Sequence, residues 1–578
     1  MRWTTFVAQL LLSAEAVSAG RSLRHAGKNF EEQARRALGL GAVSSRVNRP
    51  PLPLERRADT PSFLNANTSR FVVNGSNIPD VDFDVGESYA GLLPISADKG
   101  EQNQLYFWFF PSRNPAAEKE ILIWLNGGPG CSSLEGIIQE NGPFLWQYGT
   151  YRPVENPWSW HKLTNVIWVD QPVGTGFSVG KPTARNEDDV AAQFKGFWKN
   201  FVDTFGLQGY KVYIAGESYA GTYCPYIASA FLDAKDKTYY NMSGMMIYDP
   251  VLTWDDVQTS IPALSFVEYW GGLFPFNDTF REQLRGRDKS CGYTDWLNKY
   301  LVYPPRGPIP MPLPGTDGAG RTRAECRNLF WDIFAAASTL NPCFDIYQVA
   351  TTCPLLWDVL GFPGSLEYLP EGATIYFDRA DVKAAINAPR NVSWAECTDD
   401  DVFVDGVDRS PPSALSVLPG VIERTGNVII GHGALDMVLL ANGTLLAIQN
   451  MTWGGQTGFQ TRPSGSFYVP YHGQASLATL AGAGVFGTAH SERGLTYVGV
   501  DLSGHMIPQY APAAAFRHLE ALLGRIPGLD STAPFTTDAN VAQSSQPLGS
   551  GTAPQGWSSY GSGSAYRRRR GVTGLGFS

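Results

Sequence analysis

Residues 211–221 read KVYIAGESYAG, a run of strand formers that breaks into a Gly-Glu-Ser turn. Ala220 and Gly221 follow, small enough to let a helix start close against the strand it has just left. A turn this sharp exposes the Ser218 hydroxyl at the end of a sheet, with the next backbone N–H available to hold a developing oxyanion. Such a turn requires a strand covered by helices, so it points to a layered α/β chain. The same pattern also fits an ordinary strand-to-helix turn with a polar cap. The rest of the chain has to supply partners for Ser218 before the turn carries chemistry.

Other short apolar runs end at turn-forming residues in the same way. They are 121–125 before Asn126-Gly127-Gly128, 166–169 before Asp170, 427–430 before Gly431, and 495–500 before Asp501. Helical stretches such as 188–205 separate them, which predicts a central, mostly parallel sheet with functional residues on the loops after its strands. Between residues 249 and 371 the texture changes to Trp, Phe, Cys and Pro without strand periodicity, and this segment is read as an insertion. Cys291, Cys326, Cys343 and Cys353 lie within it, and of three possible pairings the nested one, Cys291 with Cys353 and Cys326 with Cys343, is expected.

The ends of the chain differ from its body. Met1-Arg2, the apolar run 6–12 and the small residues Val17-Ser18-Ala19 form a secretory signal pattern over residues 1–19, too short to remain as a membrane helix. Residues 20–57 are basic and end at Arg56-Arg57, as a propeptide would. The catalytic unit is then expected over 58–528, and the Ser-, Gly- and Gln-rich stretch 529–578 is read as a low-complexity tail. No terminal apolar run follows that would signal a lipid anchor, so no membrane anchor is expected. The net charge is −9 although both ends are basic, so the body is more acidic still and repels phosphate backbones, which excludes nucleic acid as a partner. Seven cysteines and seven Asn-x-Ser/Thr sites, at Asn67, Asn74, Asn241, Asn277, Asn391, Asn442 and Asn450, fit an oxidising, glycosylating route to the extracellular space or a vacuolar lumen.

A serine hydroxyl is a weak nucleophile near neutral pH and needs a base, which in turn needs an orienting carboxylate. On this kind of turn the chain order is Ser, then Asp or Glu, then His. His432, His472, His490, His505 and His518 follow Ser218, and His505 is best placed, in a loop after the run that ends at Val500. Asp436 follows the run 427–430 in the same way. Asp400, Asp401, Asp405 and Asp408 are rivals by order alone, in an acidic stretch that suits solvated charge.

Four motifs, WLNGGPGCSS from Trp124, DQPVGTGFS from Asp170, GESYAG from Gly216 and GHM from Gly504, together resemble the signatures of the serine carboxypeptidase family, in that family's order, over roughly residues 71–528. The resemblance implies an α/β-hydrolase fold with a disulfide-bearing insertion. It implies a triad of Ser218, Asp436 and His505, with the backbone N–H groups of Gly128 and Tyr219 as oxyanion hole. Trp124, Asn126, Glu140 and Glu217 match the positions that hold the terminal carboxylate of a peptide or protein substrate. Cys131 is implied to pair with Cys397, leaving Cys224 as an odd thiol. The sequence departs from many relatives at 247–250, which read Ile-Tyr-Asp-Pro, and at Leu439.

The implied activity is removal of C-terminal residues at acidic pH through an acyl-enzyme on Ser218. It needs no metal and no other cofactor, and no ligand spacing near the triad points to one. The same triad would also serve a secreted esterase or acyltransferase, and a secreted glycoprotein with a dead site is the alternative of a different class. Glu140 and Glu217 favour peptides over esters.

Overall fold

The computed structural model describes residues 63–537 apart from residues 118, 362–368, 370–371 and 472–481. The expected signal segment, the propeptide with Arg56-Arg57 and the tail beyond residue 537 lie outside the described residues. Among those described, an eleven-stranded sheet organises the chain. Its strands are β1 (Val72–Val73), β2 (Ser88–Pro94), β3 (Gln104–Phe110), β4 (Glu120–Leu125), β5 (Asn165–Asp170), β6 (Lys211–Glu217), β7 (Asn241–Tyr248), β8 (Val428–Gly433), β9 (Gly465–Val469), β10 (Gly484–Glu492) and β11 (Leu495–Val500). They lie in the order β1-β2-β3-β5-β4-β6-β7-β8-β11-β10-β9.

The six strands from β5 to β11 in the middle of that order run parallel, and antiparallel strands flank them on both sides. Interior parallel strands are covered on both faces, which is why β4 is apolar from Ile121 to Leu125 with every residue buried. Its side chains still alternate between two cores. Ile121, Ile123 and Leu125 face one, and Leu122 and Trp124 face the other.

Helix α1 (Glu187–Phe205) shows why the first core holds. The Asn186 side chain caps it by accepting from Asp189 N–H, three acidic residues occupy its first turn, and Gly206 ends it at φ +73°. Val190, Phe194, Phe197, Phe201 and Phe205 form its buried stripe. Phe201 meets Phe107 of β3 edge-on, with centroids 5.2 Å apart. Truncating a buried phenylalanine of this kind to alanine costs about 3–5 kcal/mol.

After Tyr248 the chain leaves the sheet and rejoins it at Val428. Helices over Ala263–Tyr269, Asp278–Cys291, Tyr293–Tyr300 and Ala324–Leu340 occupy the first part of this excursion. The disulfides there are Cys291–Cys326 and Cys343–Cys353, which corrects the nested pairing of Cys291 with Cys353 and Cys326 with Cys343. The reason is the helix between the cysteines. Cys326 sits in the first turn of Ala324–Leu340 and Cys343 lies past its end, so at 1.5 Å per residue the helix holds them about 20 Å apart. Cys291, at the end of the neighbouring helix, instead comes within 5.7 Å of Cys326, Cα to Cα. Cys131 pairs with Cys397 across 266 residues, and Cys224 is free and buried.

Two further expectations change. The compact unit does not stop at Gly528, because Phe535 is buried against Trp158 and Phe516, and the Arg517 guanidinium donates to the carbonyls of Ser531 and Ala533. Asn442 is fully buried in the first turn of the helix Ala441–Asn450, where a glycan has no room, whereas Asn67, Asn74, Asn277 and Asn391 are exposed and Asn241 and Asn450 half-buried. No helix among the described residues is long and apolar enough to cross a membrane. Non-reducing peptide mapping is expected to recover Cys291 joined to Cys326 and Cys343 joined to Cys353, with Asn442 unmodified. A glycan on Asn442, or a peptide joining Cys326 to Cys343, would contradict the packing described.

Candidate active site

Ser218 is the first residue past β6, and helix α2 (Ala220–Ala234) begins two residues later. Its backbone adopts φ +61°, a left-handed conformation that costs a non-glycine residue about 1 kcal/mol or more and persists only where the surroundings enforce it. They do so through three backbone hydrogen bonds. Ser218 N–H donates to Tyr248 O at 2.9 Å, and Ser218 O accepts from Gly221 and Val251 N–H, each at 2.9 Å. Gly216 permits the turn, since a Cβ there would lie 2.4 Å from Leu125 O. Gly127, in the loop after β4, approaches so closely that a Cβ would lie 2.6 Å from both Ser218 Cβ and Tyr219 N. The Gly-Gly-Pro loop holding Gly128 is thereby pressed against the serine turn.

Asp436 follows β8 and His505 follows β11, so with Ser218 they occupy loops at the same end of neighbouring parallel strands. His505 Nδ1 lies 2.9 Å from Asp436 Oδ2. The other oxygen of Asp436 accepts from Val438 N–H at 2.7 Å and Leu439 N–H at 3.4 Å. His505 N–H donates to Tyr347 O, and the ring packs edge-on against Tyr347. His505 Nε2 is buried and has no protein hydrogen bond among the described residues. Both side chains are almost wholly shielded from solvent.

The rival residues lie elsewhere or are otherwise engaged. His432 Nε2 lies 2.8 Å from Leu439 O, and burial holds its pKa down to about 4. His518 is buried beneath the sheet against Tyr248 OH, with its pKa lowered to about 3 by burial, and His490 pairs with Glu492 on β10. His472 lies outside the described residues. Asp400, Asp401 and Asp405 are exposed, whereas Asp408 accepts the Tyr219 hydroxyl at 2.6 Å. Burial keeps the Cys224 thiol protonated and unreactive.

A second polar cluster adjoins the serine turn. Asn126 is its hub. Its Oδ1 accepts the Trp124 indole N–H at 2.7 Å, and its Nδ2 lies 3.2, 3.1 and 3.0 Å from carboxylate oxygens of Glu135, Glu140 and Glu217. Glu140 and Glu217 are raised above the usual carboxylate range, first by burial and, for Glu217, also by the neighbouring Glu140. Apart from the other glutamate's carboxyl, one oxygen of each has no hydrogen-bond partner among the described residues. Glu135 was not anticipated from sequence, because an acid in a stretch such as LEGIIQE carries no local sign of burial. Oxygens of the three glutamates lie within 4.8 Å of one another, close enough for a cation, but the Asn126 amide already stands among them. Burial and mutual proximity favour retention of a proton within the cluster, beside the amide donor of Asn126.

Comparison with known proteins identifies the family. The family model described as serine carboxypeptidase matches residues 79–525. A probable serine carboxypeptidase of Arthroderma benhamiae is 54% identical, over 92% of this chain and all of that protein. Serine-type carboxypeptidase F of Aspergillus niger is 44% identical, over 90% of this chain and 98% of that protein. A solved prohormone-processing carboxypeptidase of Saccharomyces cerevisiae superposes with a TM-score of 0.63 at 22% identity, covering 80% of this chain and 98% of that one. The fold is that of the α/β hydrolases.

The tight approach of Gly127 has a measurable consequence. Gly127→Ala must push the loop and Ser218 apart, and displacements near 1 Å at a reacting centre cost about 100-fold in rate. The variant is expected to fold, by circular dichroism, yet to react with an organophosphonate about 100-fold more slowly. Unchanged labelling would show that the loop is not pressed against Ser218.

Proposed function

The chain belongs to the serine carboxypeptidase family and is a serine-type carboxypeptidase, and from that premise we propose that Ser218, Asp436 and His505 cleave the last peptide bond of peptides and proteins, with a preference for acidic pH. His505 Nε2 takes the Ser218 proton, and Ser218 Oγ attacks the carbonyl carbon of the last peptide bond. The tetrahedral oxyanion is held by the N–H groups of Gly128 and Tyr219. His505 then protonates the leaving amine, and the C-terminal residue departs. Water, deprotonated by the same His505, attacks the acyl-enzyme and releases the shortened peptide.

The observation that carries this reading is the Asn126 cluster beside the serine turn. Trp124, Asn126, Glu140 and Glu217 are proposed to bind the substrate's free carboxylate, with Glu140 and Glu217 sharing a proton. While that proton is present the pair donates to the carboxylate; once it is lost the pair repels it. The sequons that remain accessible and the three disulfides support a route through the secretory pathway, with residues 1–19 and 20–57 removed on the way.

The test compares one peptide with a free and with an amidated C-terminus, using Ser218→Ala as the inactive control. For the free peptide, KM is expected to rise by up to about tenfold per pH unit once the shared proton is lost. The amidated peptide brings no negative charge, so its KM should rise much less, and Glu140→Gln with Glu217→Gln should flatten the difference. Equal pH profiles for both substrates in the unmodified enzyme would refute the carboxylate site and favour an esterase.

A further inference from the structure

Asp249 is the first residue past β7, and the mechanism above leaves it without a role. It is fully buried and adopts φ +42°. Its N–H donates to Gly431 O at 2.9 Å, and its Oδ1 accepts from Gly433 N–H at 2.8 Å. These two bonds anchor it to β8, the strand that delivers Asp436. A carboxylate oxygen of Asp249, one of Asp436 and a ring nitrogen of His505 lie within 4.8 Å of one another. Apart from the Asp436 carboxyl, Asp249 Oδ2 has no hydrogen-bond partner among the described residues.

Two carboxyl groups this close and this buried cannot both ionise cheaply unless a cation separates them. Among the described residues no lysine or arginine pairs with either. The other titratable groups facing Asp249 are His432, His505, Glu217, Tyr248 and Tyr497. His432 Nε2 stands 3.4 Å from Asp249 Oδ1, but its proton goes to Leu439 O at 2.8 Å and burial keeps the ring neutral. One of the two aspartates must therefore hold a proton.

The hydrogen-bond donors decide which. Asp436 receives two backbone N–H groups and His505 Nδ1, whereas Asp249 receives one backbone N–H. We propose that Asp249 is held as the neutral acid and donates from Oδ2 to the carboxylate of Asp436, so that it acts as a positioning residue for the triad. The pair then carries a single negative charge. That charge matches the single positive charge that His505 gains when it takes the Ser218 proton. A second charge on Asp249 would hold the imidazolium more tightly and leave His505 able to accept a proton only at higher pH. Burial as the main cause, with Asp436 next, pushes Asp249 well above the usual carboxylate range, in keeping with the geometry.

This inference rests on the triad reading, and the experiment separates the two. The substrate is an ester with no free carboxylate, so that the Asn126 cluster does not shape the pH profile. Asp249→Asn keeps both the acceptor for Gly433 N–H and a donor toward Asp436. Its kcat is expected within about threefold of the unmodified enzyme, with the acid limb of kcat/KM unmoved. Asp249→Ala removes the donor to a charged acceptor, and kcat should fall by about 10- to 100-fold with little change in KM. A shift of the Asp249→Asn acid limb to lower pH by about one unit would show that Asp249 is ionised in the native enzyme and overturn the proposal. Native kcat in Asp249→Ala would overturn it too. Should Asp249→Ala not fold, the isosteric asparagine variant and its pH profile still decide. Failure of the triad reading would look different, since an organophosphonate would not label Ser218 in the unmodified enzyme.

Discussion

Asp249, Asp436, Glu140 and Glu217 are all buried at the carboxyl end of the sheet, and among the described residues none of them pairs with a lysine or arginine. Moving an isolated carboxylate out of water costs several kcal/mol even after relaxation. The structure meets that cost with backbone N–H groups, the Asn126 amide and the His505 ring, and in the proposed protonation scheme with protons retained by the acids themselves. The arrangement of the surrounding loops follows from this need for donors. It explains why the Asp436 loop turns its amides inward and why Asn126 stands among glutamates rather than facing water.

In the proposed function the same constraint links recognition to catalysis. Glu217 immediately precedes Ser218, so the turn that strains the serine also buries a member of the carboxylate cluster. Asn126 and Gly127 are likewise consecutive, so the loop that presses against Ser218 carries the hub of that cluster. Shifting either loop would disturb both functions together. Rigid strand ends of a parallel sheet are suited to holding such a pair of sites, because each loop begins from a strand that is paired on both sides and buried at the end leading into the loop.

The parts of the fold legible in the sequence were those with a purely local cause. Five of the six central parallel strands showed as short apolar runs ending at Asn, Gly or Asp, and the observed strands exceed those runs by no more than three residues, whereas β7 was not anticipated. β3, which reads QLYFWFF, passed unnoticed because it is aromatic on both faces and shows no alternation. The cysteine pairing needed the length and direction of a helix, which cysteine spacing does not encode. Leu529 and Phe535 anchor a stretch whose composition resembles the tail beyond it. Asp436 and His505 could be placed past strand ends by order and motif, and the structure puts their side chains in contact. Glu135 and Asp249 could not be assigned, because their importance comes from neighbours distant in the chain.

The claim that buried carboxyls share protons in order to receive a substrate carboxylate is tested most directly by calorimetry. The measurement is binding of a peptide with a free C-terminus to Ser218→Ala, in buffers of different ionisation enthalpy. As pH rises and the empty site loses its shared proton, binding should be accompanied by proton uptake that approaches about one per peptide, and the amidated peptide should take up none. Binding of the free peptide without proton uptake at any pH, or with the same uptake as the amidated peptide, would contradict the account.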